Sequence, residues 1–265
     1  MEVPEKRIAI FLKATGVWVL FAVLVQLPDA DLLWTLPRDP GSLPGSVLDP
    51  ITHLYSFLPV GSIFPGTFIL LAIVLRNLLW KPHWWTALPV WALYTSWLNA
   101  VWPTSTAGHQ LMGVFLFFSI PLALRVEERT SSARVTLVLA AFWILRLQLL
   151  LAYAATALHK LQGHGWVEGT AISSLASQPG SSLGWLVDLP LLAATLTYAV
   201  LAFQIIFPFA IWWRPARLVI LIIGAVFHLC TAFVLGIPEM GMAFLVAYIL
   251  WWDLDPRSLF VHRAG

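Results

Sequence analysis

Three side chains able to act on a substrate recur at a fixed interval. Arg146, Tyr153 and Lys160 stand seven residues apart within RLQLLLAYAATALHKLQGHGWVEGT. Seven residues are almost two helical turns, so the three share one stripe of a helix. That helix is apolar and long enough for a membrane, where ionisable groups are costly and mark functional sites by default. Lys160 offers the most chemistry, because an amine held partly away from water can serve as a base. The competing reading, of equal weight, is a lysine snorkelling at a helix end. Arg146 lies mid-segment and needs a partner or a polar cavity. Gln204 on the following helix is a candidate partner, and a buried strut between helices is at least as good a reading as a catalytic role.

Two histidines also sit in apolar surroundings. His228 falls near the middle of LIIGAVFHLCTAFVLG, and an intramembrane imidazole of that kind often lies on a proton or ligand path. His109 opens a helix after WPTSTAG and reads, taken alone, as a polar cap. His159 shares a helix end with Lys160 but projects about 100° away from it. His164, in the turn beyond, reads as solvated. Glu168 and Asp188 bracket an outer loop, and Glu239 reads as an acidic residue starting a helix. Trp80, Trp84, Trp85, Trp212, Trp213, Trp251 and Trp252 cluster at span ends as an interfacial aromatic belt. No zinc spacing, phosphate loop or serine elbow is present, and no two candidate ligands share helical spacing, so no metal is expected. The single cysteine, Cys230, argues against thiol–disulfide electron transfer.

The elements that must position these residues are all α. The chain has 265 residues, 60% hydrophobic and 11% charged, with 15 tryptophans. A soluble domain averages roughly a quarter charged, so the composition predicts a polytopic membrane protein. The apolar runs are continuous rather than alternating, which selects helices over a barrel. Hydropathy predicts about eight spans near 8–27, 60–80, 84–102, 108–125, 135–159, 189–213, 217–236 and 239–252, each close to the ~20 residues a bilayer needs. The first run lacks a cleavage site and reads as a retained helix. The stretch 28–50, rich in Pro, Gly and Asp, reads as an extended extramembrane loop. A net charge of +2 leaves no nucleic-acid footprint. Lys and Arg gather in alternate loops: Lys6, Arg7 and Lys13; Arg76 and Lys81; Arg125, Arg129 and Arg134; Arg214 and Arg217; Arg257 and Arg263. The other loops hold only Arg38 and Lys160. Both termini are therefore expected in the cytoplasm, with His109, Lys160, Glu168 and Glu239 at the outer face. No internal repeat suggests an inverted-repeat transporter.

The run L145-R146-L147-Q148, then Tyr153, H159-K160-L161 and W166-V167-E168-G169 resembles the membrane domain of the vitamin K-dependent gamma-carboxylase family, also called the horizontally transferred transmembrane (HTTM) domain. F227-H228-L229, with Gly236 eight residues after the histidine, and His109 at the outer start of a helix resemble the same domain. The similarity covers nearly the whole chain, 1–265, as a single HTTM-like domain with no C-terminal lumenal domain, of the stand-alone bacterial type. It implies a bilayer-embedded enzyme whose site faces outside the cytoplasmic membrane. The resemblance further implies a reduced quinone (vitamin K or menaquinone hydroquinone) with O2 and CO2 as co-substrates. Quinol epoxidation would generate a strong base, used to carboxylate or otherwise modify an exported peptide or protein.

In that scheme Lys160 is the base and His109 assists it, with His228, Tyr153, Arg146 and Trp166 at the quinone. Glu168, Glu239 and His159 face the exported substrate. Two departures stand out: His159 replaces the first of two adjacent lysines, and Gln162, Gly163, His164 and Gly165 replace acidic residues. Two other readings are a non-catalytic HTTM subunit in peptide maturation or immunity, and a DoxX-like quinone-linked redox subunit.

Overall fold

A computed structural model of the chain describes residues 3–35, 46–124 and 130–252. It is all-helical, 79% helix, with no strand among the described residues. Among the described residues the longer helices are α1 (Glu5–Val25), α2 (Ile63–Leu79), α3 (Trp84–Ala100), α4 (Ala107–Leu122), α5 (Ser132–Leu161), α6 (Pro190–Ala210), α7 (Arg214–Phe233) and α8 (Pro238–Tyr248). A helix satisfies most backbone polar groups within its own segment, as a membrane requires, and these apolar runs fold as helices.

Among the described residues, four helical stretches are long and apolar enough to cross a membrane: Glu5–Leu33, which is α1 with the helical turns after it, and α5, α6 and α7. The apolar helices α2 and α4 are shorter, at 17 and 16 residues. Helix α3 carries Pro89 in its interior, and α8 has 11 residues.

The predicted extended loop at 28–50 differs from expectation at both described ends. Leu27–Asp29, Ala30–Leu33 and Asp49–Thr52 are short helical turns. Pro28 and Pro50 occupy first-turn positions, where a fixed φ suits a helix and no N–H is missed. At Asp49–Thr52 the Asp49 carboxylate accepts the Ser46 N–H at 2.7 Å. Arg38, together with Arg125, Arg129, Arg257 and Arg263, lies outside the described residues.

The chain forms two compact units, Met1–Leu145 and Arg146–Gly265, with the boundary inside α5. In the first, α1 to α4 pack around a core that includes Phe11, Trp18, Tyr94, Trp97 and Phe115. The second holds the later half of α5 with α6, α7 and α8. Each of those last three helices has proline in its first turn, so their starts are written in the sequence. Helices α7 and α8 pair as a hairpin whose close approach depends on two glycines. A Cβ on Gly241 would strike the His228 carbonyl, and one on Gly224 would strike the Tyr248 hydroxyl. The segment between α5 and α6 has its own small core, in which Ala176, Leu186 and Ala193 are buried beneath Ile172 and Leu183.

Candidate functional site

Within the second unit, α5 delivers three of the predicted residues to successive levels of one polar file. Lys160 is the outermost. Side chains on a helix lean back toward its N-terminus, and Lys160 follows that lean into the unit: Nζ donates to Gln204 Oε1 at 2.9 Å. Gln204 is 5% exposed. The same amine sits 4.5 Å from the centroid of the Trp166 ring, close enough for a cation–π contact. Neither partner carries a negative charge. No carboxylate pairs with Lys160 among the described residues, so the amine keeps donor capacity for a further ligand.

Trp166 is placed by a one-turn helix, His164–Val167. Tyr198 on α6 pins that turn by donating to the Val167 carbonyl at 3.0 Å. Gly169 then reverses the chain with φ of 76°, a left-handed conformation that suits glycine. The W-V-E-G run is thus a rigid turn that offers the indole to Lys160.

One level down, the Tyr153 hydroxyl lies 2.6 Å from His228 Nε2 and hydrogen-bonds the Tyr248 hydroxyl as well. Both Tyr153 and His228 are 2% exposed. Aromatic rings box them in: Tyr153 stacks on Phe207 at 4.0 Å, and His228 on Phe244 at 4.3 Å and 9°. Phe203 closes the box edge-on at 5.6 Å from Tyr153. His228 Nδ1 is buried without a hydrogen-bond partner among the described residues. Lower still, the Arg146 guanidinium lies 3.7 Å over the ring of Trp251.

His109 belongs to the first unit. Its Nδ1 accepts the Thr106 N–H at 3.1 Å, three residues back, and lies 3.0 Å from the Thr106 hydroxyl. A ring nitrogen that accepts a backbone N–H carries no proton, so neutral His109 holds its proton on Nε2. That Nε2 is buried and has no partner among the described residues, as does Nε1 of the neighbouring Trp97. Trp18 covers the ring edge-on at 5.4 Å, and Tyr94 donates to the His109 carbonyl at 3.2 Å. The capping expectation holds, with the ring turned inward.

The remaining candidates lie at the periphery of the second unit. His159 is exposed. Glu168 is exposed too, 3.9 Å from an exposed His164. Glu239 stands half-buried in the first turn of α8. Two sequence expectations change. Gln204 serves Lys160 rather than Arg146, since the two basic side chains are 14 residues or ~21 Å apart along α5. Trp251 is fully buried under Arg146 and so leaves the interfacial belt, whereas Trp80, Trp84, Trp85, Trp212, Trp213 and Trp252 are exposed.

Sequence reasoning missed Tyr248 altogether. Its signal was a face of α8: Gly241, Phe244 and Tyr248 recur at helical spacing and are all buried. A cleft of about 320 Å³ in the first unit, beside Ile8, Leu12 and Lys81, contains none of the candidate residues. No group of three or more metal-ligating side chains occurs among the described residues. Comparison with protein-family models, curated proteins and solved structures yields no match.

Proposed function

We propose that the chain is a membrane enzyme resembling the vitamin K-dependent gamma-carboxylases, in which Lys160 acts as base toward a reduced quinone. The observation that carries this reading is the inward course of Lys160. A snorkelling lysine extends its ammonium to water; this one turns inward to a buried amide and an indole face. Holding an amine by neutral partners leaves it able to receive a proton from an acidic hydroxyl, which a tight carboxylate pair would oppose.

The residues present fit a quinol. A flat aromatic ring with a phenolic hydroxyl matches an amine donor–acceptor beside an indole. Lys160, Gln204 and Trp166 would hold a quinol, whose chemistry when bound would be to reduce dioxygen and so provide a strong base. Gln204 orients the amine, Trp166 confines it from one side, and Lys160 takes the phenolic proton. The resemblance gives His109 an assisting role, and within the first unit its ring caps its own helix. His159, Glu168 and Glu239 then face an exported peptide or protein from the outer surface.

The loop charges support a topology of eight crossings with both termini in the cytoplasm and the site facing outward, and the resemblance implies a bacterial cytoplasmic membrane. The test is oxygen consumption by detergent-purified protein given reduced menaquinone or vitamin K. Wild type is expected to consume oxygen and form an epoxide, while Lys160→Ala does not. A folded wild type inert toward every quinol would replace this reading with that of a binding subunit.

A further inference from the structure

The trio of Tyr153, His228 and Tyr248 is left over from the proposed base chemistry. Its polar atoms face one another inside a sealed aromatic box, so they are not presented to a ligand. The bilayer interior is an expensive place for three proton-bearing groups. The arrangement has a definite chemical capacity. A phenol hydrogen-bonded to an imidazole can lose an electron while its proton slides across the bond, and no unneutralised phenol cation forms. Here that bond is the 2.6 Å contact between Tyr153 and His228 Nε2.

The surroundings favour an electron vacancy at this site. The Tyr248 hydroxyl hydrogen-bonds the Tyr153 oxygen and stabilises a phenoxyl there. Burial at 2% exposure shields a radical from water-borne reductants. Trp251, an oxidisable ring of the same unit, lies under the Arg146 guanidinium at 3.7 Å, and a cation over an indole opposes removal of an electron from it. Lys160 is seven residues from Tyr153 on α5, ~10.5 Å along the axis, which is within tunnelling reach.

We propose that Tyr153 is a redox-active tyrosine, with His228 as its proton acceptor and Tyr248 as a positioning residue. Tyr153 gives one electron to an oxygen-centred radical arising where reduced quinone meets dioxygen, and that radical becomes an anion. The phenolic proton passes to His228 Nε2, whose own proton sits on Nδ1 in the resting state, leaving a neutral phenoxyl beside an imidazolium. A reduced quinone then supplies one electron to the phenoxyl, and the proton on His228 Nε2 returns to the Tyr153 oxygen. The identity of the oxidant rests on the proposed quinol chemistry; the capacity of the trio does not.

The experiment therefore supplies its own oxidant. Full-length protein in detergent is flash-oxidised with a photoexcited ruthenium polypyridyl complex and persulfate, then frozen for electron paramagnetic resonance. A neutral tyrosyl signal is expected in wild type, lost in Tyr153→Phe and in His228→Phe. Tyr248→Phe should retain the signal and lose one proton coupling that exchanges in deuterium oxide. Replacing Tyr153 with 2,3-difluorotyrosine preserves the packing and should add fluorine splittings. Absence of a tyrosyl signal in wild type, an unchanged signal in Tyr153→Phe, or no fluorine splitting would overturn the proposal. Failure of quinol-driven oxygen uptake with the radical intact would overturn only the choice of oxidant.

Discussion

His109 and His228 are equally buried imidazoles in apolar helices, at 0% and 2% exposure, yet they are held by different kinds of bond. His109 Nδ1 is tied to Thr106, three residues away, and closes the first turn of its own helix. His228 Nε2 is tied to Tyr153, 75 residues away. Each has one nitrogen left without a partner among the described residues. A local tie secures a single helix end, whereas a distant tie fixes the mutual register of helices. The polar file of the second unit should therefore respond to substitution as a coupled set, and the first unit's histidine as a local cap.

The comparison can be broken most forcefully at Lys160. If the second unit carries the chemistry, Lys160→Ala lowers the quinol-dependent rate by about 10²–10⁴-fold, the usual contribution of a positioned base, as read by oxygen uptake. The α7–α8 contact comes next. Gly241→Val drives a side chain into the His228 carbonyl and should cost about 1–3 kcal/mol or more in detergent unfolding. Gly184→Ala, with open space around it, serves as the control.

Tyr153→Phe and His228→Phe sharpen the contrast between the units. Each should cost about 1–3 kcal/mol by stranding a buried partner. The double variant should cost less than the sum, which a double-mutant unfolding cycle detects. Thr106→Ala in the first unit should cost only about 1 kcal/mol, as for loss of a helix cap, and should add independently to either. Glu168→Gln, on a side chain 64% exposed, should stay within about 0.5 kcal/mol of wild type.

Much of this was legible in the sequence. The apolar runs located the helices, and the seven-residue interval put Arg146, Tyr153 and Lys160 in one file. The intramembrane position of His228 flagged it before any partner was known. The partners themselves were not legible, because they come from helices whose rotation and depth depend on packing. Gln204 could serve Arg146 or Lys160 until α6 was placed against α5. Trp251 resembled its neighbours in an aromatic run at a span end, and only burial beneath Arg146 separates it from Trp252. Tyr248 was hidden because one hydroxyl in an apolar run changes hydropathy little; its meaning comes from Gly224 and Gly241, which let α8 approach α7.

The most direct test of Lys160 as the base is chemical rescue. Purified Lys160→Ala protein would be given reduced menaquinone, dioxygen and a series of small alkyl amines. If the lost group is an amine base, oxygen uptake returns with added amine and rises with amine basicity, while wild type is indifferent to the additive. Uptake by Lys160→Ala equal to wild type without any amine would contradict the assignment.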